Sequence, residues 1–260
     1  MKYITTITLG LLFLQATQAQ KAGTIKYLET IKLEVKEIEG MDFGDLMPSE
    51  ISTNKELLFS DAISVYRESK DNVSEDIEME SDDGSFKMVL KTSEGEEILY
   101  TDIKGKKSIQ QTSFMGKDFL IQEDLENPKW KITNEKIKYL GYVCQKATMT
   151  ETIDAISEEN DHTSEERDIV AWFTSEIPVA IGPRDYYQLP GAILMISIDE
   201  GKTEIKATEV LRGTPNKTEL EKPTKGQKVS SQEFVNIMSE KMKEMQEMYG
   251  SGEQAIMIRG

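Results

Sequence analysis

Apolar residues recur at every second position along most of this chain. In TIKYLETIKLEV, residues 24–35, Ile25, Tyr27, Ile31, Leu33 and Val35 share one side, and Lys26, Lys32 and Glu34 the other. A period of two matches the β-strand, whose successive side chains point to opposite faces. The stretch therefore predicts a long, half-buried strand. The same alternation runs through KELLFS, AISVYRE, SFKMVLKT, EEILYTDI, KSIQQTSF, DFLIQED, PKWKIT and LGYVCQKATM, and resumes in IVAWFT, GAILMISI and TEIKATEVL. Glycine, asparagine and short polar turns separate these runs at the close spacing of antiparallel meanders. About ten to twelve strands are expected, with no βαβ unit.

A sheet with that many strands must curl or split to bury its apolar faces. The expected fold class is mainly β, one domain over residues 20–260. Its core is a single, strongly curved antiparallel sheet, half-barrel-like, with one C-terminal helix against the hollow side. A two-sheet β-sandwich is the alternative.

Helical spacing occurs once. Ser230-Ser231-Gln232-Glu233 is a capping box, a hydroxyl followed three positions later by a carboxylate. Phe234, Ile237, Met238, Met242, Met245, Met248 and Tyr249 then repeat with the period of a helix, and Gly250 and Gly252 end it. The predicted helix covers about 231–249. Its methionine-rich stripe suits either packing on the sheet or a flexible partner-binding face, for which Met238, Met242 and Met245 are the candidates. The tail EQAIMIRG could add a last edge strand, and Ala255–Ile258 could augment a partner sheet.

Three segments break the pattern. GMDFGDLMPSE, residues 40–50, is expected to be a loop presenting Met41, Phe43, Leu46 and Met47. Residues 71–83 hold seven acids and no base, and residues 150–168 hold eight acids against one arginine. Neither acidic run has the alternate ligand positions and central glycine of a calcium loop, so both are expected to be solvated loops.

The first nineteen residues read as an export signal: Lys2, then the largely apolar Ile4–Leu14, then small residues at Thr17 and Ala19. The apolar run falls short of the roughly 20 residues needed to span a bilayer, and no cysteine follows it to carry a lipid. An exported protein, periplasmic or secreted and neither a lipoprotein nor membrane-spanning, is the expectation. The formal net charge of −16 becomes −17 once Lys2 leaves with the leader. That balance disfavours nucleic acid and anionic membrane surfaces as partners.

Candidate chemistry is sparse. Cys144 is the single cysteine, so no disulfide can form within the chain. It sits in a strand-like run and is expected to be buried as a small hydrophobe. His162, the single histidine, lies in EENDHTSEER and is expected in a solvated loop. No Ser-His-Asp or Cys-His set, phosphate loop, or zinc-ligand cluster can be assembled, so no catalytic residue, metal or cofactor is expected. With 47 acidic residues, a carboxylate pair of the glycosidase kind is always available by residue type and so carries little weight.

One stretch stands apart. In RDYYQLPGAILMI, residues 184–196, Pro190-Gly191 suits the centre of a type II turn, and Ala192–Ile196 is apolar throughout, as for a strand covered on both faces. Leu189, Pro190, Gly191 and Ile193 are therefore expected to be structural. Trp172, Tyr186 and Tyr187 could line a ligand pocket or pack in the core. Across AWFTSEIPVAIGPRDYYQLPGAILMI the chain resembles the GLPGLI family, whose six-residue motif is matched by residues 188–193, with departures at Gln188 and Ala192. WKITNEKIKYLGYVCQKAT, residues 130–148, is similar to that family's preceding block. The acidic stretch 150–168 looks longer than in the family. The resemblance implies an exported protein of the Bacteroidetes cell envelope with no established activity. The expected function is non-catalytic binding of an apolar ligand or a partner protein, and the alternative is a carboxylate-dependent envelope hydrolase.

Overall fold

A computed structural model of the chain describes residues 21–33, 48–70, 77–80, 87–90, 97–156 and 162–249. The leader, the Met41–Met47 loop, most of the acidic stretch 71–83 and the tail after Tyr249 lie outside the described residues. The strands are β1 (Ala22–Lys32), β2 (Glu50–Ser60), β3 (Ile63–Glu68), β4 (Ile77–Glu80), β5 (Lys87–Leu90), β6 (Ile98–Asp102), β7 (Lys107–Phe114), β8 (Lys117–Asp124), β9 (Lys131–Tyr139), β10 (Tyr142–Ile156), β11 (His162–Thr174), β12 (Ala192–Ile198), β13 (Thr203–Arg212) and β14 (Gln227–Val229). Each alternating run named above becomes a strand. β4 and β14 are additions, and each is too short to carry a readable period.

Twelve strands form one sheet in the order β14-β8-β7-β6-β3-β2-β1-β13-β12-β11-β10-β9, while β4 and β5 form a separate ribbon. Every pairing in the large sheet is antiparallel except β14 with β8. The sheet is not closed into a barrel, since β14 and β9 are its two edges.

The acidic stretch 150–168 departs from expectation. Most of it is strand, the far end of a long β10–β11 hairpin in which His162 pairs with Ile156. Cross-strand partners explain the extension. Thr150 Oγ1 donates to Asp168 Oδ1 at 2.8 Å, and Glu151 stands opposite Arg167. Hydroxyl–acceptor and opposite-charge pairs directly across two strands each favour pairing, which a count of acids misses.

Register places one set of side chains on a single inner face. Ile25 and Tyr27 of β1 lie opposite Leu57 and Lys55 of β2 and Val210 and Ala207 of β13. The face continues through Ile205, Ile196, Ala171 and Ala147 toward β10. In the other direction it runs through Tyr66, Leu99, Gln110 and Ile121 toward β8. The β1-to-β10 half forms the main core, and the chain between β11 and β12 completes it. In that irregular connection Ile177, Val179, Ile181, Tyr186 and Leu189 are all buried in the same cluster as Ile25, Tyr27, Ala147 and Ile205. Its backbone groups find partners despite the irregularity, as burial requires. Ala192 N–H donates to Ile177 O at 3.0 Å, Ile193 N–H to Ile181 O at 3.0 Å, and the Tyr27 hydroxyl to Ile193 O at 2.6 Å.

Pro190-Gly191 makes a tighter turn than the type II expected. Gly191 N–H donates to Leu189 O at 2.7 Å, so the turn closes over Pro190 alone. Gly191 has φ +155, and a Cβ there would lie 2.0 Å from Thr174 O. Glycine is needed because two backbones touch.

Helix α1 (Ser231–Tyr249) has the bounds and the cap that the sequence predicts. Glu233 N–H donates to Ser230 Oγ at 3.2 Å, and Ser230 N–H to Glu233 Oε2 at 2.7 Å. Among the described residues it meets the inner face at the β14 edge, where Phe234 and Ile237 pack with Phe114, Phe119, Ile121 and Val229. Phe234 makes edge-on contacts with Phe119 and Phe114, with ring centroids 5.2 and 6.2 Å apart.

Candidate functional site

Between the loop-covered core and the helix, the inner face is left open. A cavity of about 350 Å³ lies there, lined by Glu29, Lys55, Tyr66, Arg67, Glu97, Leu99, Ser108, Gln110, Ile121, Glu123, Arg184 and Asp185. Six neighbouring strands supply all but Glu97, which immediately precedes β6, and the last two, which the β11–β12 connection places over the border with the core. Polar and charged residues dominate the wall, with Leu99 and Ile121 as its apolar members on either side of Gln110.

Glu29 is the centre of the wall. It follows Ile25 and Tyr27 on the inner face and is only 6 % exposed. Arg184 Nη2 donates to Glu29 Oε1 at 2.5 Å, and the Tyr66 hydroxyl donates to Oε2 at 2.8 Å. Burial opposes ionisation of Glu29, but the charge and hydrogen bond of Arg184, the hydrogen bond of Tyr66 and the charge of Lys55 outweigh it, so its pKa is lowered. Burial likewise drives the Tyr66 pKa well up, with the charge of Glu29 adding to it. Arg184 adopts a left-handed backbone, φ +52, to reach this position. A non-glycine residue held there stores strain that the surrounding contacts must overcome.

Asp185 is exposed at the mouth of the cavity. Protein crowds its other sides, and burial, then the charge of Glu123, raises its pKa against the pull of Arg184. Deeper in the core, Glu151 accepts from the Tyr186 hydroxyl at 2.9 Å. Burial raises its pKa more than that hydrogen bond lowers it.

The residues singled out from sequence sit elsewhere. Tyr186 and Tyr187 are buried, with Tyr186 edge-on to Trp130 and the Tyr187 hydroxyl donating to Glu126 O at 2.7 Å. Trp172 is partly buried against the main core. Leu189 and Ile193 are fully buried, Gly191 lies against Thr174, and Pro190 is exposed. Met238 and Met242 are half-buried on α1, and the side chain of Met245 lies outside the described residues. None of these lines the cavity. The expected burial of Cys144 is found: it is fully inaccessible, and burial, then the charge of Glu176, raises its thiol to about 11.

Sequence reasoning missed Glu29, Arg184 and Asp185. A signal for Glu29 was present, since it interrupts the apolar side of the first strand between Tyr27 and Ile31. A charge at an inward position needs a partner or water, and here it has two partners. Among the described residues no group of three or more His, Cys, Asp or Glu side chains is arranged to hold a metal ion. No described helix is long and apolar enough to cross a membrane.

A family model described as "Protein of unknown function (Porph_ging)" matches residues 130–195. That span covers β9 to β11, the first part of β12 and nearly all of both stretches that carry the resemblance noted from sequence. A comparison with curated proteins gives no match. Among solved structures, PNGF-II in its C2 crystal form superposes on 86 % of this chain with a TM-score of 0.50 and 15 % identity. Its P21 form covers 85 % with the same score and 16 % identity. The chain spans about a third of the length of PNGF-II, 33 % and 34 % in the two forms. LprF from Mycobacterium bovis aligns over 75 % of the chain with a TM-score of only 0.29. At these identities the likeness is one of fold.

Proposed function

We propose that this is an exported cell-envelope protein whose sheet curls into a trough and holds a small polar molecule without transforming it. The curl is supported by the Tyr139 hydroxyl, which donates to Ala207 O at 2.6 Å although β9 and β13 are four places apart in the sheet. Laid flat, those strands would be about 19 Å apart. Export rests on the leader-like residues 1–19.

The observation that carries the binding reading is the cavity itself. Its wall is mounted on paired strands and its central charges are already hydrogen-bonded, the preorganised state that favours binding. Concave sites of about 300 Å³ or more are the usual form of small-molecule pockets. The charged lining turns the expectation of an apolar ligand toward a polar one, because desolvating these groups against hydrocarbon is costly.

A second reading, a carboxylate-dependent hydrolase, is favoured by one feature: Asp185, whose pKa is raised, shares the cavity with Glu123. Two carboxyl groups in unlike surroundings can divide acid and base roles. Purification from the native envelope under mild conditions, with mass spectrometry of what co-purifies, separates the two. An intact small molecule in stoichiometric amount supports binding. An empty protein that cleaves an envelope extract, and stops when Asp185→Asn is introduced, supports catalysis instead.

A further inference from the structure

The charges around the cavity are unevenly matched. Each cation on its wall is already held by a carboxylate: Arg184 by Glu29 at 2.5 Å, Lys55 by Glu97 at 3.7 Å, and Arg67 by Glu56 at 2.7 Å and Glu219 at 3.1 Å. Asp185 and Glu123 also line the cavity and are exposed to it, and neither is salt-bridged among the described residues. The remaining wall offers Leu99 and Ile121 side by side with Ser108 and Gln110. From this arrangement we infer that the cavity takes a ligand with a cationic head, an amine or guanidine, on an aliphatic stem, the head between Asp185 and Glu123 and the stem against Leu99 and Ile121.

Three physical features support that class. An anionic head would meet cations that are already neutralised and two carboxylates that are not. An incoming cation meets two carboxylates outside any salt bridge among the described residues, although Asp185 already accepts from its own backbone N–H and feels the charges of Arg184 and Arg167. Charge-assisted hydrogen bonds of this kind are the strong ones. The left-handed backbone at Arg184, anchored through Glu29, fixes the adjacent Asp185 at the mouth without a ligand present. The inference rests on the cavity being a binding site, as proposed above.

The test is titration calorimetry of the purified chain with cadaverine and agmatine, with pentanediol as the neutral analogue and glutarate as the anionic one. The cations are expected to bind. Asp185→Asn and Glu123→Gln, both at exposed positions, should each weaken them by about tenfold or more while the circular dichroism stays unchanged. Added salt should weaken binding, as should lowering the pH through the Asp185 titration, because protonation removes an acceptor. Cation-induced NMR shifts should centre on Leu99 and Ile121. If pentanediol or glutarate binds there as well as the cations do, the charge assignment is wrong and the binding site stands. Cation binding that neither substitution weakens also overturns the assignment. If no probe binds, both the assignment and the binding reading fail.

Discussion

The inner face of the sheet has two halves built from the same alternation and put to different use. From β1 to β10 the inward positions are Ile25, Tyr27, Ile205, Ile196, Ala171 and Ala147, and the β11–β12 connection seals them. From β2 to β8, beyond Leu57, Phe59 and Tyr66 that join the main core, the inward positions include Lys55, Gln110, Ser108 and Glu123, and no segment of the described chain seals them. The contrast teaches that alternation specifies a strand, whereas the polarity of the inward positions specifies whether the strand will be covered. A covered half tolerates small and branched apolar side chains that interdigitate with a lid. An open half needs groups that water or a polar ligand can satisfy.

The largest way to break the contrast is to lift the lid. Gly191→Val would place a Cβ 2.0 Å from Thr174 O and 2.9 Å from Ser175 Cα, with φ +155 unsuited to a β-branched residue. Neither clash is with a flexible side chain, so the backbone of the connection must move and Leu189 and Ile193 lose their packing. A loss of at least about 4 kcal/mol is expected, or no folded protein at all. An unchanged urea midpoint would show that the lid does not hold the covered half together.

The covered half was largely legible from sequence, and the open half was not. The alternating runs marked the strands, and Ser230 with Glu233 marked the helix start, because both signals are local. The connection 175–191 carries no period; the all-apolar run after Pro190-Gly191 marked a turn held in covered structure, but not that Ile177, Val179 and Ile181 are buried with it. Its prolines and glycines marked turns but not the sheet beneath them. The cavity depends on which inward residues six strands bring level with one another. Register sets that, and the chain does not state register locally. Only Glu29, a charge on an apolar side, gave local notice. The acidic run was misread as a loop because its cross-strand partners, Thr150 with Asp168 and Glu151 with Arg167, are eighteen and sixteen residues apart, and composition alone does not pair them.

At the border between the halves, Glu29→Ala should cost less than lifting the lid. It strands the Tyr66 hydroxyl and the Arg184 guanidinium, but Arg184 keeps 31 % of its side chain in solvent, so about 2 kcal/mol is expected rather than the full cost of a buried orphan charge. The pH dependence follows from the lowered pKa of Glu29. A carboxylate depressed on folding stabilises at pH above its unfolded value of about 4.3, and that contribution is lost as pH falls through the lower folded value. The stability gap between wild type and variant should therefore be full at neutral pH and close in acid. A gap that persists unchanged in strong acid would mean that packing, not charge, is what Glu29 contributes.

Within the covered half, Glu151→Gln should be stabilising. Burial raises the Glu151 pKa above its unfolded value, so holding it ionised at neutral pH costs stability, and the cost disappears as pH falls through the raised value. The amide still offers Tyr186 an acceptor in place of Oε1. A small gain at neutral pH is expected, offset in part by the lost attraction to Arg167 and fading toward acid. Comparative thermal unfolding at neutral and acidic pH checks it, and a variant less stable than wild type at both would mean that the carboxylate is needed as such.

The smallest expected effect on stability lies in the open half, where it sharpens the contrast most. Glu123 is exposed on β8, opposite Ser108 and without a salt bridge among the described residues. Removing its charge breaks no pair and leaves no buried group unsatisfied, so Glu123→Gln should change the urea midpoint by no more than about 0.5 kcal/mol. It also relieves a like charge beside Asp185, which should lower the Asp185 pKa from its raised value. An NMR titration of the Asp185 carboxyl in wild type and variant reads that shift directly. A substitution that leaves the fold untouched yet moves the titration of its neighbour would show that the open half keeps charge where structure does not need it. A large loss of stability would mean that Glu123 belongs to the framework, and the two halves would no longer differ in kind.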